Sequence, residues 1–392
     1  MRQKARQWCK GKCNDTVVLK EESILTERER FKAVFSGGEI DRLPVYFFGT
    51  WQETKERWVR EGLGTDCLTN DPGPQIEGMD TDWENGIWDC HGLTVMGPIP
   101  DGERIVLEET ETTILVQEAL GSIERYSKLG QCIPFTVKHC LEPTRESWEH
   151  FKTLLDPNDP RRRPAGWEEK TEELNKSTRL LAFMGGSLYG WLRNDMGVEN
   201  ISYLMYDDPD LFDEMVGYMH EYFMTLLDPI LSKVKFDLVY FFEDCCGSHG
   251  PLFSPDIYKR FFDKRYREWV DFYKGHGVAL SLLDSDGKVD DLIPCWTGSG
   301  IDIMFPIEVG EWGASPVKLR EQFGKNLMMF GGVDKHVITE GEEAIRAHLK
   351  SLLPAVETGG YLPIPDHRIP PDCSYKEFLT YIRVFKEVFN IY

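Results

Sequence analysis

The 392 residues suffice for two ordinary domains or one enlarged α/β barrel, and 45 basic against 66 acidic residues leave a formal net charge of -21. Such a field repels a phosphate backbone, and the one basic cluster, residues 161–163, is a short solvated face beside a proline, so nucleic acid is excluded as a partner. No stretch approaches twenty apolar residues, and Arg2, Lys4 and Arg6 lead into Trp8, Cys9 and Cys13 rather than an apolar signal core, so a cytoplasmic protein without a membrane span is expected.

Residues 1–25 show no steady period and form an N-terminal extension, in which Cys9 and Cys13 make a lone C-x3-C with no second pair nearby. The ten cysteines are irregularly spaced, as suits thiols in a reducing compartment. The Thr26 to Glu29 spacing predicts a capped helix that ends at Gly37 and Gly38. Residues 43–48, L-P-V-Y-F-F, form the first predicted strand, with Trp51 at its tip and a helix to about Arg60.

The texture changes over about residues 66–130, rich in Gly, Pro and Asp, where two alternating runs at 104–109 and 113–117 predict a hairpin. This segment is expected as an insertion after the first strand that roofs one end of the molecule. Strands then follow at 133–138, 180–184, 237–242, 278–283, 301–305, 327–330 and 361–364, each with a helical pattern behind it. Asp208-Pro209, Ser254-Pro255 and Ser315-Pro316 place an N-cap before a first-turn proline, and Thr339/Glu342 and Ser374/Glu377 have capping-box spacing. Eight strands alternating with helices over residues 26–392 predict a (β/α)8 TIM barrel, with its active site at the C-terminal strand tips. A doubly wound sheet is disfavoured, because no strand is followed by G-x-G-x-x-G.

In such a barrel the tips gather Trp51, His139, Tyr189, Arg193, Glu243, Asp244, His249, Asp284, Asp286, Glu308, Asp334, His336, Asp366 and His367. Carboxylates with a few imidazoles suit a divalent metal, or a carboxylic acid held protonated for proton transfer. In an extended segment, Asp284 and Asp286 would point to one side and reach a common ion; the bland alternative is that they cap the helix that follows. Glu243 and Asp244 close the strand before Cys245 and Cys246, where the acidic surroundings argue against a nucleophilic thiol. Capping of the loop glycines is the alternative for these two acids. Arg193, on a helix with Tyr189 and Trp191, fits either a substrate carboxylate or an ordinary ion pair.

The order of motifs resembles the uroporphyrinogen decarboxylase superfamily. The motifs are G-S-L-Y-G-W-L-R-N-D-M-G-V-E-N, F-F-E-D-C-C-G-S-H-G-P-L-F-S-P, the D-S-D-G strand end, G-S-G-I-D-I-M-F-P, M-F-G-G-V-D and G-G-Y-L-P-I-P-D-H-R-I-P-P-D. The resemblance implies the barrel fold from about residue 26 to the C-terminus. True decarboxylases of that superfamily carry an R-Q-A-G-R type motif after the first strand, whereas residues 47–54 here hold no arginine, so the chain resembles its cobalamin-dependent methyltransferases more. Those hold zinc with an H-x-C and a late cysteine, positions that Asp284, Asp286 and His367 occupy here.

The resemblance therefore implies a methyltransferase component that moves a methyl group from a small methylated substrate to a corrinoid supplied by a partner protein. The expected metal ligands, for a divalent ion such as zinc, are Asp284, Asp286, His367 and Glu243. The expected catalytic residues are Asp244, Glu243, Asp286, Arg193 and Tyr189. The alternatives are a decarboxylase or other lyase acting on a small carboxylic acid, with Arg193 binding it, or a non-catalytic small-molecule-binding barrel. A second copy, in a homodimer, completes the expected partners.

Overall fold

Short apolar runs bounded by Gly, Pro and Asp fold as strands buried on both faces, the pattern of a parallel sheet covered by helices. The computed structural model describes residues 25–64, 76, 78–82, 90–130, 133–310 and 312–391. The tail with Cys9 and Cys13 lies outside them. Strand β1 (Tyr46–Phe47) pairs in parallel with β2 (Thr81–Asp82). Six further parallel strands are β7 (Ala182–Gly186), β8 (Leu238–Phe242), β11 (Leu280–Asp284), β12 (Ile303–Ile307), β13 (Met328–Val333) and β14 (Tyr361–Pro365), hydrogen-bonded in that order. A parallel bridge between Thr50 and Ile369 brings the end of β1 to the chain beyond β14. Between β2 and β7, the His91 ring hydrogen-bonds the Ala182 carbonyl (2.7 Å). Eight parallel strands with helices between them give the (β/α)8 architecture.

Seven of the expected strands are among these eight, and the eighth is a correction. Residues 133–138 contribute β6 (Phe135–Lys138), which pairs antiparallel with β5 (Ile123–Ser127) and is no barrel strand. The second barrel strand is instead the two-residue β2, too short and polar to stand out. The expected hairpin is present as β3 (Ile105–Glu109) and β4 (Thr113–Gln117), enlarged by β5 and β6 into a four-stranded antiparallel sheet. This sheet stands beside the helix that follows β7. Leu141 N–H donates to the Asp195 carbonyl (3.0 Å), and a Cβ on Gly197 would meet the His139 ring at 2.4 Å. A small hairpin, β9 (Cys246–Gly247) with β10 (Gly250–Pro251), follows β8.

The helix starts follow their capping signals. Asp208, Ser254 and Ser315 each accept a backbone N–H three residues on, and Thr26/Glu29 and Ser374/Glu377 form complete capping boxes. Thr339 does not cap: the helix Glu342–Ser351 starts at Gly341, and the Thr339 hydroxyl donates to the His336 carbonyl (3.0 Å).

Rings from several strands meet inside the barrel: Phe305 lies 5.1 Å from Phe48, 5.2 Å from Phe330 and 6.4 Å from Tyr240. The helix Glu27–Ser36 covers the N-terminal ends of the strands. Its Phe31 packs on Phe330 (5.8 Å), Arg28 and Lys32 pair with Asp237 just before β8, and the Val34 carbonyl accepts from Gly360 just before β14. With that end sealed by apolar packing and ion pairs, polar chemistry is left to the C-terminal tips. No helix among the described residues is long and apolar enough to cross a membrane.

Candidate active site

The tips of β8 and β11 are tied together, because the N–H groups of Glu243 and Asp244 both donate to the Asp284 carbonyl (2.9 and 3.1 Å). From there the carboxylates part ways. Glu243, 3% exposed, accepts the N–H groups of Leu188 (2.7 Å), Tyr189 (2.7 Å) and Gly190 (3.0 Å) and the hydroxyl of Tyr266. These donors open the helix Gly190–Met196, whose first turn would otherwise be buried with bare N–H groups. Burial pushes the Glu243 carboxyl up, and the four donors oppose it. The approach requires glycine at 190, since a Cβ there would lie 2.7 Å from the Glu243 carbonyl oxygen. Glu243 is thus spent on the scaffold and does not join the other expected ligands.

Asp284 is also engaged. Leu282 pairs with Tyr240 and Asp284 with Phe242, so Tyr240 and Asp284 share a face one step apart, and the Tyr240 hydroxyl donates to Asp284 Oδ2. The last bond of the ladder with β12 lies just past Asp284. Ser285 N–H donates to the Phe305 carbonyl (2.9 Å), and Gly287 turns with φ of 90°. A Cβ on Gly287 would meet the Cys246 carbonyl at 2.8 Å, so a side chain is excluded by both conformation and space. Asp286 lies next to the tips of β12 and β14.

There it meets Glu308, one residue past β12, and His367, two residues past β14. Asp286 Oδ2 lies 3.6 Å from His367 Nε2, and one ligand atom from each of Asp286, Glu308 and His367 falls within 4.8 Å of the others. Glu308 is 7% exposed and accepts a single N–H, from Gly287 (2.9 Å). Burial first, and then the Asp286 charge, push its carboxyl up to about 7. The His367 ring is stacked on Phe48 (4.9 Å) and tilted against Trp51 (6.3 Å), so aromatic packing fixes the imidazole. Asp286 and His367 were expected as ligands, whereas Glu308 stood among the tip acids without that role. Two carboxylates and an imidazole that keep unused lone pairs fit a divalent cation with positions left open.

Asp244, in the left-handed region at φ 44°, holds the Arg193 guanidinium through Nη2 (2.5 Å). Burial raises the Asp244 carboxyl, Arg193 opposes the rise, and Asp286 adds to it. The Arg193 Nε is also buried without a partner. Tyr189 is buried with its ring 5.0 Å from that of Phe253 and its hydroxyl unpartnered. Cys245 is buried, its N–H bonded to Ser285 Oγ (3.0 Å), and burial pushes the thiol well up, the opposite of what a nucleophile needs.

The other tip residues are engaged elsewhere. Asp366 accepts from the N–H groups of Val309, Gly310 and Lys335, His336 pairs with Asp334 (3.0 Å), and His249 bonds Ser248 (2.8 Å).

A family model for uroporphyrinogen decarboxylase (URO-D) matches residues 142–388. The chain belongs to this family. Among solved structures, this URO-D family protein is similar to a methyltransferase from Methanosarcina mazei, with 14% identity, a TM-score of 0.54, and coverage of 93% of this chain and 98% of that one. It also matches a B12-independent methionine synthase from Shewanella sp. W3-18-1 in complex with selenomethionine, at 13% identity and a TM-score of 0.38, over 58% of this chain and 67% of that one. At this identity the first likeness bears on the fold. A search of curated proteins gives no match. The β1 tip of this URO-D protein, residues 47–54, has no arginine of its own, but the Arg368 guanidinium from the loop after β14 lies over the Trp51 ring at 5.0 Å.

Proposed function

We propose that this protein is the substrate-binding component of a corrinoid-dependent methyl transfer, with a divalent metal ion, zinc first, on Asp286, Glu308 and His367. The observation that carries the reading is the convergence of these three side chains from three strand tips at the end of the barrel where such enzymes do their chemistry. A bound ion would supply Lewis acidity toward the heteroatom that gives up its methyl group. A reduced corrinoid on a partner protein would supply the nucleophile that takes the methyl, the electron pair of the broken carbon–heteroatom bond staying with the heteroatom, which then needs a proton.

The chain's own residues serve that demand. The buried Asp244 carboxyl, which burial raises and its Arg193 partner opposes, would relay the proton to the heteroatom, with the Arg193 guanidinium orienting it. The unused Arg193 donors orient a polar group of the small methylated substrate. Phe48 and Trp51 hold the His367 ring, and Tyr189, at the start of the helix that carries Arg193, packs on Phe253 and Phe262. In this arrangement Asp284 and Glu243 are positioning residues, because each fixes the backbone or the neighbouring strand that presents the site.

The test mixes the zinc-loaded protein with cob(I)alamin or a corrinoid protein and a panel of methoxylated aromatics and quaternary amines, following demethylated product by mass. Zinc-dependent demethylation of one substrate class, at least about 100-fold weaker in Asp286→Asn, is expected. Carbon dioxide release from a small acid, with no methyl transfer to any corrinoid, contradicts the reading.

A further inference from the structure

We infer, resting on the methyl-transfer reading, that the small methylated substrate carries a carboxylate, which the Arg193 guanidinium and the Tyr189 hydroxyl bind from one side. Arg193 makes a single side-chain hydrogen bond among the described residues, from Nη2 to Asp244, and its Nε is buried without a partner. Tyr189, four residues earlier, is 1% exposed, and its hydroxyl is likewise buried without a partner. The Arg193 N–H donates to the Tyr189 carbonyl (2.8 Å), so the two side chains leave one face of the same helical turn. Burial first, and then Cys245, push the Tyr189 hydroxyl up, and the Arg193 charge opposes the rise from nearby. The hydroxyl therefore keeps its proton and remains a donor.

Two buried donors left empty on one face cost stability unless a ligand fills them. Their chemistry selects that ligand. A guanidinium presents its Nε and Nη groups as a planar fork that matches the two oxygens of a carboxylate, and a tyrosine hydroxyl adds a further donor. Asp244 does not fill this role, because it takes Nη2 alone and also accepts the Asp286 N–H. That second bond sets Asp244 between Arg193 and Asp286. A small substrate can then place its carboxylate at Arg193 and its methylated heteroatom toward Asp286, Glu308 and His367. Recognition through a quaternary ammonium group would need an open aromatic face instead, and Trp51 already carries the Arg368 guanidinium on its ring at 5.0 Å.

Calorimetric titration of matched pairs into the full chain, with and without zinc, tests this. The pairs are para-methoxybenzoate against anisole, methoxyacetate against methoxyethanol, and glycine betaine against choline. In at least one pair the wild type is expected to bind the carboxylate about 10-fold tighter or more. Arg193→Gln should bring that ratio to about 1. Tyr189→Phe removes a hydroxyl that holds nothing in the fold, so it should lower the ratio about 3- to 10-fold with an unchanged or higher Tm. A wild type that binds no carboxylate more tightly than its mate overturns the inference, as does a ratio that either variant leaves unchanged. Zinc-dependent demethylation confined to anisole, methoxyethanol or choline also overturns it, while keeping the methyl-transfer reading. A carboxylate preference in a protein that transfers no methyl group upholds the carboxylate site and overturns that reading.

Discussion

Two buried glutamates at the same end of the barrel have opposite surroundings. Glu243 receives three backbone N–H groups and a tyrosine hydroxyl, so its lone pairs are used by the fold. Glu308 receives one N–H and faces Asp286 and His367 across less than 5 Å. Burial is much the same for both. What separates a structural carboxylate from one that can take a ligand is therefore the count of donors already bound, not depth.

The sharpest way to break this contrast is to remove each group. Glu243→Ala leaves a buried helix start with bare N–H groups, and a loss of about 3–5 kcal/mol is expected in urea unfolding. A loss below about 1 kcal/mol would mean that Glu243 is not a structural carboxylate. Gly287→Ala tests the turn that directly follows Asp286. Its Cβ meets the Cys246 backbone at a left-handed φ, so about 1–3 kcal/mol of stability should be lost together with metal affinity. His367→Ala and Asp286→Asn, at partly exposed positions, should change apo stability by under about 1 kcal/mol while abolishing metal binding.

The contrast also carries a pH dependence. Glu308 has a folded value near 7, above the unfolded carboxyl range, so the folded chain binds the extra proton. By linkage, the metal-free protein loses stability as pH rises from about 4.5 to about 7, and Glu308→Gln removes that slope. Urea midpoints at pH 5, 6 and 7 measure it; an equal slope in the variant assigns the effect to another group.

The parallel strands were legible because each is a short apolar run, buried on both faces and punctuated by Gly, Pro or Asp, and the helix starts because side-chain caps act over three residues. Residues 133–138 misled because their polar–apolar alternation is that of an antiparallel strand, while β2 is too short to carry a pattern. At the site, Asp284 and Asp286 were read together, whereas the three side chains that converge are Asp286, Glu308 and His367. The donors to Glu243 come from residues 53 to 55 positions away and one 23 positions away, and nothing local to Glu243 announces them. Glu308 could have been grouped with Asp286 once β11 and β12 were taken as neighbours, since both lie just beyond adjacent tips.

Metal content after dialysis against zinc, measured per chain by atomic emission, tests the central claim most directly. The account predicts one ion per chain in the wild type and in Asp284→Asn, and none in Asp286→Asn, Glu308→Gln or His367→Ala. A wild type without stoichiometric metal, or an ion lost with Asp284→Asn but kept in the other three, would contradict it.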